Sequence, residues 1–251
     1  MKDIIKIPYT TRPFMIRNKG DIFSHKPNLI YLKQKQREIR TKGSDLYGVS
    51  SKAKEQNLIA RMAEFCSVEI TTEITRLAMC FEEDIAILHN NKLEAICFCF
   101  PSSWVPAQRL GFSLEQIHTP VADGTQLIKA SNTIAQKMAE NPELSFRRYV
   151  WTITTTGLLS NHPSYRLASS VHSIEDLFFR LETQTTAALG DGLTSFFFVK
   201  VDVIPLHSIW DSYGTQILES INSMSDAIVS YKNLGLVKRF LNSISGKDHK
   251  F

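Results

Sequence analysis

The chain has 251 residues, 43% hydrophobic and 22% charged, an ordinary globular composition long enough for one large domain or two small ones. Lys and Arg number 29 against 25 Asp and Glu, and a formal charge of +4 is too small to imply nucleic acid. No apolar run approaches the roughly 20 residues needed to span a bilayer, so no membrane association is expected.

The start, Met1-Lys2-Asp3-Ile4-Ile5-Lys6, lacks the apolar core of a secretory signal. Cys66, Cys80, Cys97 and Cys99 lie in apolar surroundings and read as reduced, buried thiols of a cytoplasmic protein. Residues 1–50, rich in Lys, Pro, Gly and Ser, read as an extended N-terminal lead-in with one helix, and 51–251 as the main domain. Within the lead-in, Lys33, Lys35, Arg37, Arg40 and Lys42 read as a solvated helix face.

From Lys52 to Cys66, apolar residues at Leu58, Ile59, Met62, Ala63 and Cys66 predict one amphipathic helix. Glu82, Glu83 and Asp84 form an acidic cluster, read as a solvated turn or as a general base or cation site. Segments Asp84–His89 and Lys92–Phe100 flank Asn90-Asn91, where positive φ is tolerated, and predict a tight hairpin. Asp123–Asn141 reads as a helix. Arg147–Thr155, Leu177–Thr185 and Thr194–Val203 read as strands, and 206–224 and 230–244 as closing helices. Five strands with a helical insertion between the second and third predict an α+β domain around an antiparallel sheet.

There is no GxGxxG and no GxxxxGK[ST], so neither usual nucleotide cradle is present. Cys97-x-Cys99 points two thiols to one side of a strand, without the four-cysteine spacing of an iron–sulfur protein. Among the histidines, His25, His162, His207 and His249 read as exposed, His89 adjoins the hairpin and His172 sits in a Ser-rich loop. His118 differs. It lies in Leu114-Glu-Gln-Ile-His118-Thr-Pro120-Val121, where Pro120 restricts the backbone. An imidazole so held suits axial coordination of iron; a structural histidine is the alternative.

The segment Phe100-Pro-Ser-Ser-Trp104-x-Pro106-x-x-Arg109-x-Gly111-x-x-Leu114-x-x-Ile117-His118-x-Pro120-Val121 resembles the signature of the heme-dependent oxidative N-demethylase α-subunit family. Further similarities follow the family's order: Phe81-Glu-Glu-Asp84, Arg148-x-x-Trp151, Arg180-x-Glu182-x-Gln184-Thr185 and Tyr231-Lys232-x-Leu234. The resemblance implies a PAS-like antiparallel sheet with surrounding helices, holding heme b on an axial histidine. It implies a monooxygenase that removes N-methyl groups from a small amine with dioxygen, releasing formaldehyde, with electrons from a separate flavin or iron–sulfur reductase.

On that resemblance His118 is the candidate iron ligand, and Arg109, Trp104, Arg148 and Trp151 are candidate heme contacts. Glu182 and Arg180 are the candidate catalytic residues. Arg109, Arg148 and Arg180 suit carboxylates because guanidinium pairs with them bidentately, with salt bridges to Glu182 or Asp84 as the alternative. The chain also departs from the family. Thr183 stands where an arginine is usual, Thr186-Ala-Ala-Leu-Gly190 replaces a basic stretch, and Phe197-Phe-Val-Lys-Val-Asp202 replaces F-T-I-R-T-Y. These exchanges bear on the substrate more than on the cofactor. The rival expectations are a heme enzyme acting on another substrate, and a PAS-like heme sensor or non-enzymatic binding module.

Overall fold

A computed structural model describes residues 3–166 and 168–245. In chain order its elements are β1 (Ile16–Arg17), α1 (Leu29–Lys42), β2 (Tyr47–Val49), α2 (Ser51–Glu55), α3 (Leu58–Phe65), α4 (Ile74–Ala78), β3 (Asp84–His89) and β4 (Lys92–Cys97). Then follow α5 (Leu114–His118), α6 (Thr125–Glu140), β5 (Ser145–Thr154), β6 (Phe178–Ala188), β7 (Thr194–Pro205), α7 (His207–Asn222), α8 (Asp226–Tyr231) and α9 (Gly235–Ser245). All strand pairs are antiparallel in one seven-stranded sheet of order β1-β5-β6-β7-β3-β4-β2. The α+β expectation is met. The first 50 residues contribute α1 and both sheet edges, β1 and β2.

Side chains alternate across the sheet, and the register assigns each residue to a face. One face carries Ile85, Ile87, Phe196 and Phe198, which join Phe23, Phe81 and residues of α3 and α4 in the larger core. The same face of β5 and β6 carries Trp151, Ile153 and Phe179, which pack with α7–α9 and Ile5 in a second core. The opposite face carries Arg148, Val150, Arg180, Glu182, Gln184, Val199 and Val201. Helix α6 packs against β6 and β7, and α5 packs against α6. Among the described residues, no helix is long and apolar enough to cross a membrane.

The expected helix Lys52–Cys66 is two helices, broken where Asn57 takes φ 50°. The last expected helix, 230–244, is observed as α9 alone, and the separate short α8 ahead of it, set off around Asn233 at φ 56°, was not expected. The hairpin is as expected, with Asn90 and Asn91 at φ 50° and 60°. Strand β4 stops at Cys97 because the N–H groups of Cys99 and Phe100 turn to the Asp84 carboxylate, both at 2.8 Å.

Three readings of exposure are corrected. Lys35 is fully buried, donating to the carbonyls of Ala78 and Glu83 and lying 3.8 Å from Asp84. Glu83 is buried and accepts from the Ser24 N–H and hydroxyl, so it is no solvated turn residue. His162 is buried against Ser164 and 3.8 Å from Asp45. His249 lies outside the described residues. The cysteines are all free, Cys66, Cys97 and Cys99 buried and Cys80 half-buried.

The left-handed conformation at Asn57 is costly for a β-branched side chain and free for glycine. Asn57→Val is expected to lose about 1–2 kcal/mol in urea melts, and Asn57→Gly to match or exceed the parent.

Candidate functional site

The sequence motifs that lie far apart in the chain meet on the α5–α6 side of the sheet. Arg180 is the joint. Its guanidinium is 1% exposed and donates to the Leu159 carbonyl, to the Phe100 carbonyl at 2.7 Å and to the Ser102 hydroxyl oxygen at 3.0 Å. Ser102 in turn donates to Glu182 Oε1, and Gln184 donates to Glu182 Oε2 at 2.9 Å. Asp84 holds the same loop from its other side through Cys99 and Phe100. Burial pushes the Asp84 carboxyl up to about 6, opposed by Lys35, these two N–H groups and Arg180. The Phe100–Trp104 stretch is therefore bolted to the sheet, and the chain runs on from it to α5.

Helix α5 is a single turn closed at its start by a capping box between Ser113 and Gln116, and His118 is its last residue. His118 Nδ1 lies 3.2 Å from Ser131 Oγ on α6. Ser131 is fully buried and spends its one hydroxyl proton on the Leu127 carbonyl at 2.8 Å. Its oxygen can only accept from His118, so Nδ1 carries the imidazole proton and Nε2 carries the lone pair. Burial drives the His118 pKa down to about 4, helped by the charge of Arg148 and opposed by the Leu114 backbone. The imidazole is neutral at pH 7. Among the described residues, Nε2 makes no hydrogen bond.

Arg148 faces this histidine from β5, in register with Gln184 and diagonal to Glu182. Among the described residues, its guanidinium makes no hydrogen bond and no ion pair within 4.0 Å. Burial lowers its pKa, while Tyr9, Glu182 and Tyr231 pull the other way. Lys232, just past α8, reaches over the Tyr9 ring at 5.4 Å and donates to the Trp151 carbonyl at 2.9 Å. Burial brings the Lys232 pKa down to about 8, Glu182 opposing and Arg148 assisting. The Tyr9 phenol is pushed up to about 12 by burial and stays neutral. Tyr231 is half-exposed and senses Glu182, Tyr9, Arg148 and Arg109.

The remaining expected site residues divide. Trp104 is half-buried, edge-on to Phe98 at 5.5 Å, and Phe98 stacks on Phe197 of the same sheet face as Arg148. Arg109 lies over the Phe112 ring at 5.6 Å, and its charge reaches Tyr231. Trp151 is not brought to the cluster. Its odd spacing from Arg148 puts it on the opposite face, stacked on Phe179 at 5.5 Å in the second core. Thr183, where the family has an arginine, and Lys200 also face away from Arg148 and Glu182.

Lys232, Tyr9, Ser102 and Ser131 join the site without having been candidates. The Tyr231-Lys232 motif was the one signal available for Lys232. Nothing in the sequence points to Ser131, which meets His118 only because α5 packs on α6.

A neutral imidazole with a defined free nitrogen, and half-buried cations that form no ion pair among the described residues, can ligate a metal and bind carboxylates. A family profile described as "Haem-dependent oxidative N-demethylase, alpha subunit-like" matches residues 32–241. The chain belongs to that family. No curated protein matches the chain.

The two arginines are expected to behave oppositely. Arg180→Met strands buried carbonyls and should cost about 3–5 kcal/mol in urea melts. Arg148→Met removes a half-buried charge that has no ion pair among the described residues and should be neutral or stabilising. His118 has a folded pKa of about 4 against an ordinary value of 6.5, so the fold binds fewer protons. Stability of the apo-protein should be full above pH 6.5 and fall as pH drops toward 4, by up to about 3 kcal/mol. His118→Asn should flatten that dependence.

Proposed function

We propose, from the chain's membership of this family, that it binds heme b on the α5–α6 side of the sheet and uses it to oxidise a small amine. The single observation that carries the reading is the fixed tautomer of His118. An axial ligand must offer a neutral nitrogen, and its other nitrogen ordinarily donates to an acceptor that sets the ring. Ser131 is such an acceptor. The one antiparallel sheet, with α5 and α6 inserted between β4 and β5, is read as PAS-like.

In this reading His118 Nε2 is the iron ligand, and Arg148 and Arg109 supply donors to the heme carboxylates. Phe98, Trp104, Phe197 and Val199 form the apolar wall. Heme, when bound, supplies the activation of dioxygen that side chains alone cannot achieve. Glu182, held between Ser102 and Gln184, is the carboxylate placed to receive a proton or orient an amine nitrogen. Arg180 commits each of its three nitrogens to Ser102, Leu159 or Phe100 and acts as a positioning residue through Ser102. Trp151 has no part in the pocket. Electrons come from a separate flavin or iron–sulfur reductase, and the reaction class is oxidative N-demethylation with formaldehyde as the carbon product.

A different amine from the family's usual one is favoured by Val201, which lies opposite Glu182 where the family has threonine. A panel of methylated amines, scored by formaldehyde release with dioxygen and a reductase, decides between the two substrates. Absence of any turnover, with heme bound, would favour a sensor or binding module.

The purified protein reconstituted with heme should show a Soret band that moves on reduction. His118→Ala should abolish it, and an unchanged spectrum would sink the assignment. Ser131→Ala should keep the ligand but weaken heme binding about 10- to 100-fold.

A further inference from the structure

A cleft of about 300 Å³ opens on the sheet face opposite Arg148 and Glu182, a volume at the lower end of small-molecule sites. Its floor is Arg147 of β5, Thr183 and Thr185 of β6, Lys200 of β7 and Glu83, and residues 21–24 form its other wall. Arg147 pairs with Thr185 and Lys200 with Thr183, so alternation sends all four to one face. Glu83 directly precedes Asp84, which pairs with Val199, and so falls in line beside Lys200.

The charges at the two ends of this cleft are not balanced within the fold. Glu83 is 5% exposed, and its Oε1 accepts from the Ser24 N–H at 3.1 Å and hydroxyl at 2.9 Å. Its Oε2 is buried and accepts no hydrogen bond among the described residues. Lys200 does not serve it, being paired with Glu82 at 2.7 Å. At the other end, Arg147 donates from Nε to Thr185 at 3.2 Å and from Nη2 to the Asp21 carbonyl at 2.6 Å, and Nη1 makes no hydrogen bond among the described residues. Neither Glu83 nor Arg147 has an ion-pair partner within 4.0 Å among the described residues. A buried carboxylate without a counter-charge is a standing cost, and a ligand that brings an ammonium removes it. The terminal torsion of a glutamate is soft, so the carboxylate can turn Oε2 toward a donor in the cleft.

We propose that this cleft binds a small amino acid, with its ammonium on Glu83, its carboxylate on Arg147 and the Thr183 hydroxyl between them. The Arg147 guanidinium leans onto β6 at Thr185, and Glu83 is in line with β3, two strands further on. Two strand intervals are about 10 Å, and a hydrogen bond of about 3 Å at each end leaves about 4 Å between the charged atoms of the ligand. That spacing suits one or two carbons between the two charged groups. Nothing in this seat depends on heme, because Arg148, Glu182 and the α5–α6 helices lie on the other face of the sheet.

The test is calorimetric titration of the full-length protein with glycine and with β-alanine, against propionate and propylamine, which carry one charge each. One of the amino acids should bind with a dissociation constant of about 1 mM or tighter, and the single-charge probes at least about 10-fold more weakly. Glu83→Gln keeps an acceptor for Ser24 and removes the negative charge, and Arg147→Gln removes the positive one. Each should weaken the amino acid about 10- to 100-fold, the worth of a charged hydrogen bond. If Glu83→Gln does not fold, Arg147→Gln, on the half-exposed end of the cleft, carries the comparison. The seat is overturned if neither amino acid binds the parent, if propionate or propylamine binds as tightly as the amino acids, or if the folded variants bind as the parent does.

Discussion

Arg180 sits at the point where the sheet, the loop after β4 and the loop before β6 must agree. A guanidinium taken wholly out of water is tolerable only when its N–H groups find acceptors, and here the acceptors come from Phe100, Ser102 and Leu159. Asp84 grips the same loop through two backbone N–H groups, with Lys35 behind it. The constraint is mutual. If the loop shifts, Arg180 loses its acceptors and Asp84 its donors. Everything carried onward from that loop, including Trp104, Arg109 and His118, takes its position from it.

Burial has two meanings in this protein, and hydrogen bonding separates them. Arg180 and Lys35 are enclosed with acceptors on hand, and their work is to hold segments together. Arg148 and Lys232 are half-buried and, among the described residues, make one hydrogen bond between them, that of Lys232 to the Trp151 carbonyl. His118 combines both. One nitrogen is committed to Ser131 and the other is left free, which turns an ordinary half-buried imidazole into one with a single defined lone pair. The family motifs Arg148-x-x-Trp151 and Arg180-x-Glu182 likewise split between roles. Trp151 and Arg180 support, while Arg148 and Glu182 share the sheet face on the α5–α6 side.

Much of the fold was legible in the residues because it rests on local rules. Alternation marked the strands, Asn90-Asn91 marked the hairpin, and helical spacing marked α6. The misreadings share a cause. Lys35, Glu83 and His162 were judged by their neighbours in sequence, whereas their burial is set by segments tens of residues away. The break at Asn57 hides within a valid apolar stripe, since α2 and α3 keep the stripe while the backbone between them turns left-handed.

By itself the sequence determined the α+β class, five of the seven strands and the resemblance to the family, with His118 as its candidate ligand. Those depend on period, turn chemistry and motif order, all of which are local. The tertiary structure alone decided which charged groups have partners. Only the packing of α5 on α6 brings Ser131 to His118, and only the strand register puts Trp151 behind the sheet while Arg148 stays in front. Only the return of the C-terminal helices brings Lys232 to the Trp151 carbonyl on β5. Electrostatic balance is a sum over spatial neighbours, so a linear chain cannot disclose it before it folds.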